Sequence, residues 1–270
     1  MILYPPCKIN LGLHILHKRN DGFHELDTCM YEIPLYDILE IIPSEEFVFT
    51  SSGLEIPGDS DNNLCVKAFK LIKEKHEISN VKIHLHKQIP MGGGLGGGSS
   101  DATYVLKMLN TLFNLNLELE TLEEYAAILG SDCAFFVKSN CQIAKGRGEL
   151  LSHFNLNLKG YYLKILNIGI HVSTAEAYGG VIFQTHIDNV VEILKLKKED
   201  WKDKLVNDFE TSVFKKHPIL SEIKNSLYQE GAFYASMSGS GSTMFALYEN
   251  KPKENSFLEL NPLYEIVKEL

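Results

Sequence analysis

No run of 18 apolar residues occurs anywhere in the sequence, so it offers no helix able to span a membrane. The opening MILYPPCKINLGLHIL lacks the basic start, unbroken apolar centre and small-residue cleavage site of a secretion signal, and a cytoplasmic location is expected. Positive charge is also short: 26 Lys and Arg against 35 Asp and Glu leave a net charge of −9. A general nucleic-acid binder needs a basic surface, so that class is set aside. Cysteine is sparse and spaced for neither a disulfide framework nor a zinc site. The five, Cys7, Cys29, Cys65, Cys133 and Cys141, are odd in number and contain no C-x-x-C pair, which fits reduced, buried thiols. No repeat of 20–50 residues is visible. What remains is a globular composition, 44% hydrophobic and 23% charged over 270 residues, enough for one large domain or two modest ones.

The hydrophobic pattern supplies the elements. Ile9, Leu11, Leu13 and Ile15 alternate with Lys8, Asn10, Gly12 and His14, a strand with one apolar and one polar face. TCMYEI, YDILEII and FVFTSSG read as further short strands. Residues 63–76 carry Leu64, Ala68, Leu71 and Ile72 at helical spacing among lysines, and VKIHLHKQ then alternates as a strand. After a glycine-rich segment, Ala102, Val105, Leu106, Leu109, Leu112 and Phe113 recur as a helix with Ser99 or Ser100 at its cap. A second helix, 122–129, stops at Gly130. FNLNLKG is a connector, YYLKILNI a new strand, and Ser173 with Glu176 a capping box for a helix through Tyr178. Residues 218–230 form another helix, and AFYASM and TMFALY flank SGSG as two strands. The sum is an α+β protein of two lobes with a cleft between them, divided into residues 1–155 and 156–270.

The stretch PMGGGLGGGSSD, Pro90 to Asp101, carries the chemistry. A flexible linker would have spacers on either side, and this segment joins a strand pattern directly to a helix pattern. Gly92, Gly94 and Gly97 match the dinucleotide fingerprint G-x-G-x-x-G, which also requires a second parallel strand ending in an acidic residue. NLNLELE keeps that reading open. A phosphate cradle fits best: glycines turn several N–H groups toward one anion, and the following helix adds its positive end. It is not a Walker A loop, since the lysine of G-x-x-x-x-G-K-[ST] is absent. Asp101, placed in a first helical turn, favours the helix dipole but repels phosphate unless turned aside or bridged by Mg²⁺.

PMGGGLGGGSSDA together with PPCKINLGL, RNDGFHELDT, LGSDCAFFV, KGRGE and MSGSGSTMFAL resembles the galactokinase, homoserine kinase, mevalonate kinase and phosphomevalonate kinase (GHMP) superfamily, from about residue 5 to about 250. The glycine loop indicates only the superfamily; DGFH in a short chain points to its branch acting on a cytidine diphosphate-linked methylerythritol. The resemblance implies a two-lobed fold, ATP-dependent phosphorylation of a hydroxyl, and a place in the non-mevalonate route to isoprenoids. It puts the catalytic lysine and aspartate on Lys8 and Asp132, and ATP binding on Pro90, Met91, Gly92, Gly93, Gly94, Leu95, Gly96, Gly97, Gly98, Ser99 and Ser100. Cytidine recognition falls on Phe23 and His24, with Tyr178 as a second stacking ring. Three small departures stand beside the motifs: Cys7 in place of alanine, Thr103 where alanine often repeats, and Ala134 in place of a common proline.

The residues also allow this chemistry on their own terms. Lys8 and Asn10 share one strand face, and Asp132, otherwise a turn residue after Gly130, can take the proton of an acceptor hydroxyl beside a lysine ammonium. Phe23 can stack on a pyrimidine and His24 bond its edge. Gly239 and Gly241, otherwise a hairpin turn, permit close approach to a substrate phosphate. His84 and His86 without a third ligand read as solvent-facing rather than metal-binding, and Trp201 carries no function. Mg²⁺ is expected with ATP; its ligands are not legible beyond Ser99 or Ser100. The expected partner is a small molecule, with neither nucleic acid nor membrane, and the sequence is silent on oligomeric state.

Overall fold

The computed structural model describes residues 1–181, 183 and 186–270. The first strands are β1 (Ile2–Leu3), β2 (Pro6–Lys18), β3 (His24–Tyr36), β4 (Ile38–Pro43), β5 (Val48–Gly53) and β6 (Val81–Lys87). Then come β7 (Cys141–Gly146), β8 (Leu150–His153), β9 (Tyr162–Asn167), β10 (Tyr234–Met237), β11 (Met244–Tyr248) and β12 (Tyr264–Glu269). The first helices are α1 (Leu64–Lys75), α2 (Gly97–Leu112), α3 (Leu119–Leu129) and α4 (Phe135–Lys138). The rest are α5 (Thr174–Gly179), α6 (Val190–Leu194), α7 (Trp201–Lys204), α8 (Phe209–Lys216) and α9 (Pro218–Gln229).

Two compact units result, interleaved along the chain: residues 1–8, 32–91 and 96–140 in one, and 9–31, 92–95 and 141–270 in the other. This is a different partition from the consecutive one at 155/156. No helix among the described residues is long and apolar enough to cross a membrane.

In the first unit the sheet runs β1-β4-β6-β5, with β5 parallel to β6 and the other pairs antiparallel. Val81, Ile83 and Leu85 alternate with more exposed residues along β6, as period two requires, and are buried with Leu39 and Ile41 of β4. Helices α1 and α2 pack together and bury Phe69, Ile72, Val105, Leu106 and Leu109. Asn63 caps α1 by accepting from the Cys65 amide.

In the second unit one sheet runs β2-β3-β7-β8 and another runs β10-β11-β9-β12, the latter antiparallel throughout. Helix α9 packs on β10 and β11, and Leu220, Ile223, Leu227, Met237, Met244 and Ala246 share a core with Leu13 and Ile15 of β2.

The polar face of β2 is buried as well: Lys8, Asn10 and His14 lie as deep as their apolar neighbours. Residues 114–118 form no strand, because α3 begins at Leu119 and its start takes up the LELE pattern. The dinucleotide reading thereby loses its second strand. Trp201 is a core residue, edge-on to Phe233 and Tyr234, and its burial explains a tryptophan in a lysine-rich stretch.

Candidate active site

Helix α2 begins at Gly97, so Ser99 and Ser100 lie inside it rather than at its cap. Gly96 takes the cap position with φ +71°, and no side chain among the described residues bonds the helix end. A left-handed cap suits glycine, and the first amides of the helix have no partner within it, which leaves them for an anion. A side chain on Gly96 would meet the Lys8 Cε at 3.2 Å and the Phe136 ring at 3.1 Å. The Lys8 stem therefore lies directly against the helix start. The Lys8 ammonium is 3.1 Å from Asp132 Oδ2, with Lys8 buried and Asp132 one-third exposed. Positions 124 residues apart in the sequence are thereby brought together.

Behind this start lies a buried ion cluster that sequence reasoning missed. Lys87, at the end of β6, pairs with both Asp37 and Asp101, the latter at 2.8 Å. Asp37 also accepts from the Gln88 and Ile89 amides, at 2.5 and 2.8 Å. Asp101 is beyond the first helical turn and turned aside, so it does not face a phosphate held by the loop. Burial raises the Asp101 carboxyl against the pull of Lys87, and Asp101 and Asp37 in turn raise the Lys87 ammonium despite its own burial. A cavity of about 310 Å³ adjoins α2 in the same unit. Phe49, Ile56, Pro57, Leu64, Leu85 and Met91 give it apolar walls, Ser60, Asn62 and Asn63 give it polar groups, and it reaches Gly98 and Asp101. Its walls come from separate segments of the chain, which no local pattern reveals.

The front of the glycine segment, 92–95, packs in the second unit. Ser238 donates to the Gly94 carbonyl at 2.9 Å, and the Thr243 amide donates to that of Gly93 at 3.3 Å. Gly94 has φ +78°, and a Cβ there would fall 1.9 Å from the Ser238 carbonyl oxygen. Gly239, at φ +54°, lies against the Gly94 carbonyl, and Asn207 fixes the Gly239 and Met237 carbonyls at 2.8 and 2.7 Å. Gly241 lies in the same turn, with φ +92°. The SGSG turn is thus a brace for the glycine loop. Asn10 Nδ2 donates to Thr28 Oγ1 at 3.0 Å, and that hydroxyl donates to the Gly12 carbonyl.

In the same unit the DGFH turn is closed by Arg19, whose amide donates to the Phe23 carbonyl, and by Asp21, which accepts from the Phe23 amide. Phe23 is half exposed, with the Arg147 guanidinium over its ring at 4.6 Å. The Gly146 amide beside Arg147 donates to Glu25, so KGRGE buttresses the turn. His24 stacks on Tyr178, centroids 4.5 Å apart and 18° from parallel. Two rings predicted to handle a base therefore meet. His84 and His86 are partly exposed, and Thr50 and Ser52 of β5 hydrogen-bond their rings.

All five cysteines are free and buried. Burial pushes the Cys133 thiol up to about 12 and raises Cys7 and Cys65 as well, so none of these three is a poised nucleophile.

The model of the GHMP kinases N terminal domain matches residues 63–140, and that of the GHMP kinases C terminal matches 181–259. A 4-diphosphocytidyl-2-C-methyl-D-erythritol kinase of Cytophaga hutchinsonii is 50% identical over 254 residues, 94% of each chain. One of Bacteroides fragilis is 48% identical, again over 94% of each chain. A crystal structure of 4-(cytidine 5'-diphospho)-2C-methyl-D-erythritol kinase superimposes with a TM-score of 0.81 at 32% identity, covering 93% of this chain and 91% of that one. A mevalonate kinase structure, 18% identical with a TM-score of 0.73, shares the fold over 99% and 98% of the two chains. With the glycine-led helix, its Lys8–Asp132 pair and this likeness along nearly the whole chain, the protein belongs to the 4-diphosphocytidyl-2-C-methyl-D-erythritol kinases of the GHMP kinase family.

Proposed function

We propose that the protein uses ATP to phosphorylate the 2-hydroxyl of 4-diphosphocytidyl-2-C-methyl-D-erythritol, in the non-mevalonate route to isoprenoid precursors. The relatives' names supply the substrate, and the contact between Lys8 and Asp132 beside the start of α2 is the observation that carries the chemistry. Asp132 accepts the proton of the 2-hydroxyl as its oxygen forms a bond to the γ-phosphorus. The bond from that phosphorus to the β,γ-bridging oxygen breaks, and ADP leaves with the electron pair. Lys8 neutralises charge developing on the transferred group.

ATP is held by residues 90–100, with its phosphates against the backbone amides at the head of α2. The cavity walled by Phe49, Leu64, Leu85 and Met91 takes the purine, which needs apolar faces and a few polar contacts at the edge. On the substrate side, Phe23, His24 and Tyr178 take the cytosine, while Asn10, Gly239 and Gly241 hold the diphosphate-linked polyol. Arg147, stacked on Phe23, adds a positive charge at the cytidyl end.

For Mg²⁺ the helix start offers hard oxygen donors, which suits the ion: Ser100 Oγ is buried without a hydrogen-bond partner among the described residues, and Ser99 precedes it. Asp101 is a poor ligand because Lys87 holds its carboxylate. When bound with ATP, the ion would neutralise phosphate charge.

Incubation with ATP, Mg²⁺ and a panel of alcohols tests the reading. ADP release with the cytidyl substrate and not with homoserine or mevalonate supports it; turnover of either of those alone overturns it.

A further inference from the structure

Helix α2 does more than present its first amides. On the side facing the 131–136 turn it carries Thr103 and Lys107, one helical turn apart and so on one face. Thr103 is fully buried, and its Oγ1 lies 2.8 Å from the Cys133 carbonyl and 3.0 Å from the Ser99 carbonyl. A hydroxyl has one proton to give. A bond to the carbonyl four residues back is the commonplace use of a helical threonine. Here the shorter contact goes instead to a residue 30 positions away, next to Asp132. Lys107 adds a second tether, donating to the Phe136 carbonyl at 2.7 Å. The Cys133 amide donates in turn to Gly130 and the Phe136 amide to Cys133, so the segment carrying Asp132 is closed on itself and held at two carbonyls.

We propose that Thr103 is a positioning residue for Asp132. Its hydroxyl, through the Cys133 carbonyl, fixes the carboxylate's turn to the helix whose start receives the nucleotide. This rests on the role given to Asp132 above. A carboxylate that must meet a hydroxyl in line with a phosphoryl group tolerates little drift, since a misplacement of about 1 Å costs on the order of a hundredfold in rate. Loss of one of two tethers allows a smaller drift. The effect falls on the rate and spares binding, because Thr103 is buried and the substrate-side residues lie on other elements.

The test compares Thr103→Val, which keeps the shape and removes the hydroxyl, with Thr103→Ser, which restores the hydroxyl on a smaller side chain. Asp132→Asn is run in parallel, and thermal unfolding confirms that each variant is folded. Thr103→Val is expected to lower kcat about tenfold, with KM for ATP and for the cytidyl substrate both within about twofold, and Thr103→Ser to recover most of the rate. Unchanged kcat in Thr103→Val, while Asp132→Asn is inactive, overturns the positioning role and leaves Asp132 in place. An effect confined to the KM for ATP overturns it too, since the hydroxyl would then serve the helix start through Ser99. Full turnover in Asp132→Asn removes Asp132 from the mechanism, and the proposal with it.

Discussion

His14 gives a quantitative handle on the folded state. Its ring is fully buried, neither nitrogen has a hydrogen-bond partner among the described residues, and it stacks on His186 with centroids 3.6 Å apart and planes 3° from parallel. His186 in turn bonds Asp208 at 2.9 Å. Burial, and secondarily the neighbouring His186, lower the His14 imidazole from 6.5 to about 4, with Asp208 opposing. The folded protein then holds His14 neutral while the unfolded chain protonates it, so stability falls as pH drops through the unfolded value and levels off below the folded one. Between about pH 8 and pH 5 this single group costs about 2 kcal/mol, rising to about 3 kcal/mol below pH 4. Urea unfolding followed by circular dichroism measures it. His14→Phe keeps a stacked ring without a titrating nitrogen, and its stability should fall about 2 kcal/mol less than the wild type's over that interval, since the carboxylates common to both cancel. Parallel curves would refute the reasoning and mean that His14 accepts a proton in the folded state. The patch matters for function, because Asp208 follows Asn207, whose amide holds the Gly239 turn.

Two substitutions separate the nucleotide from the substrate. Gly94→Ala combines a left-handed backbone costing about 1–2 kcal/mol with a collision against the Ser238 carbonyl, so KM for ATP should rise at least tenfold or so; an unchanged value would dissociate the loop from ATP. Phe23→Ala removes a stacking ring and should raise KM for the cytidyl substrate on the order of tenfold with little change for ATP, whereas equal effects would reassign Phe23 to anchoring its turn.

Much of this arrangement is legible before folding is considered. Period-two alternation in VKIHLHK and period 3.6 after the glycines fix β6 and α2, because each buries one face against its own unit. Lys8, Asp132 and the DGFH turn are readable as candidates because each sits in a compact local motif. What escapes does so for physical reasons. Serine is the statistically preferred cap, yet α2 is capped by Gly96, since the chain must enter it in a left-handed conformation. The Lys87, Asp37 and Asp101 cluster joins three distant segments, so nothing local distinguishes those residues from surface charges. Strand β7 begins CQIAK, buried residue by residue until Lys145, and therefore shows no alternation to read. Arg147 lies within KGRGE, but its place over the Phe23 ring depends on β7 meeting β3.

The most direct test of the central claim is single-turnover phosphoryl transfer by Asp132→Asn, set beside calorimetric titration of the same variant with an ATP analogue. The account predicts transfer slowed by about 10²–10⁴-fold with nucleotide affinity near that of the wild type. Transfer at close to the wild-type rate would contradict it.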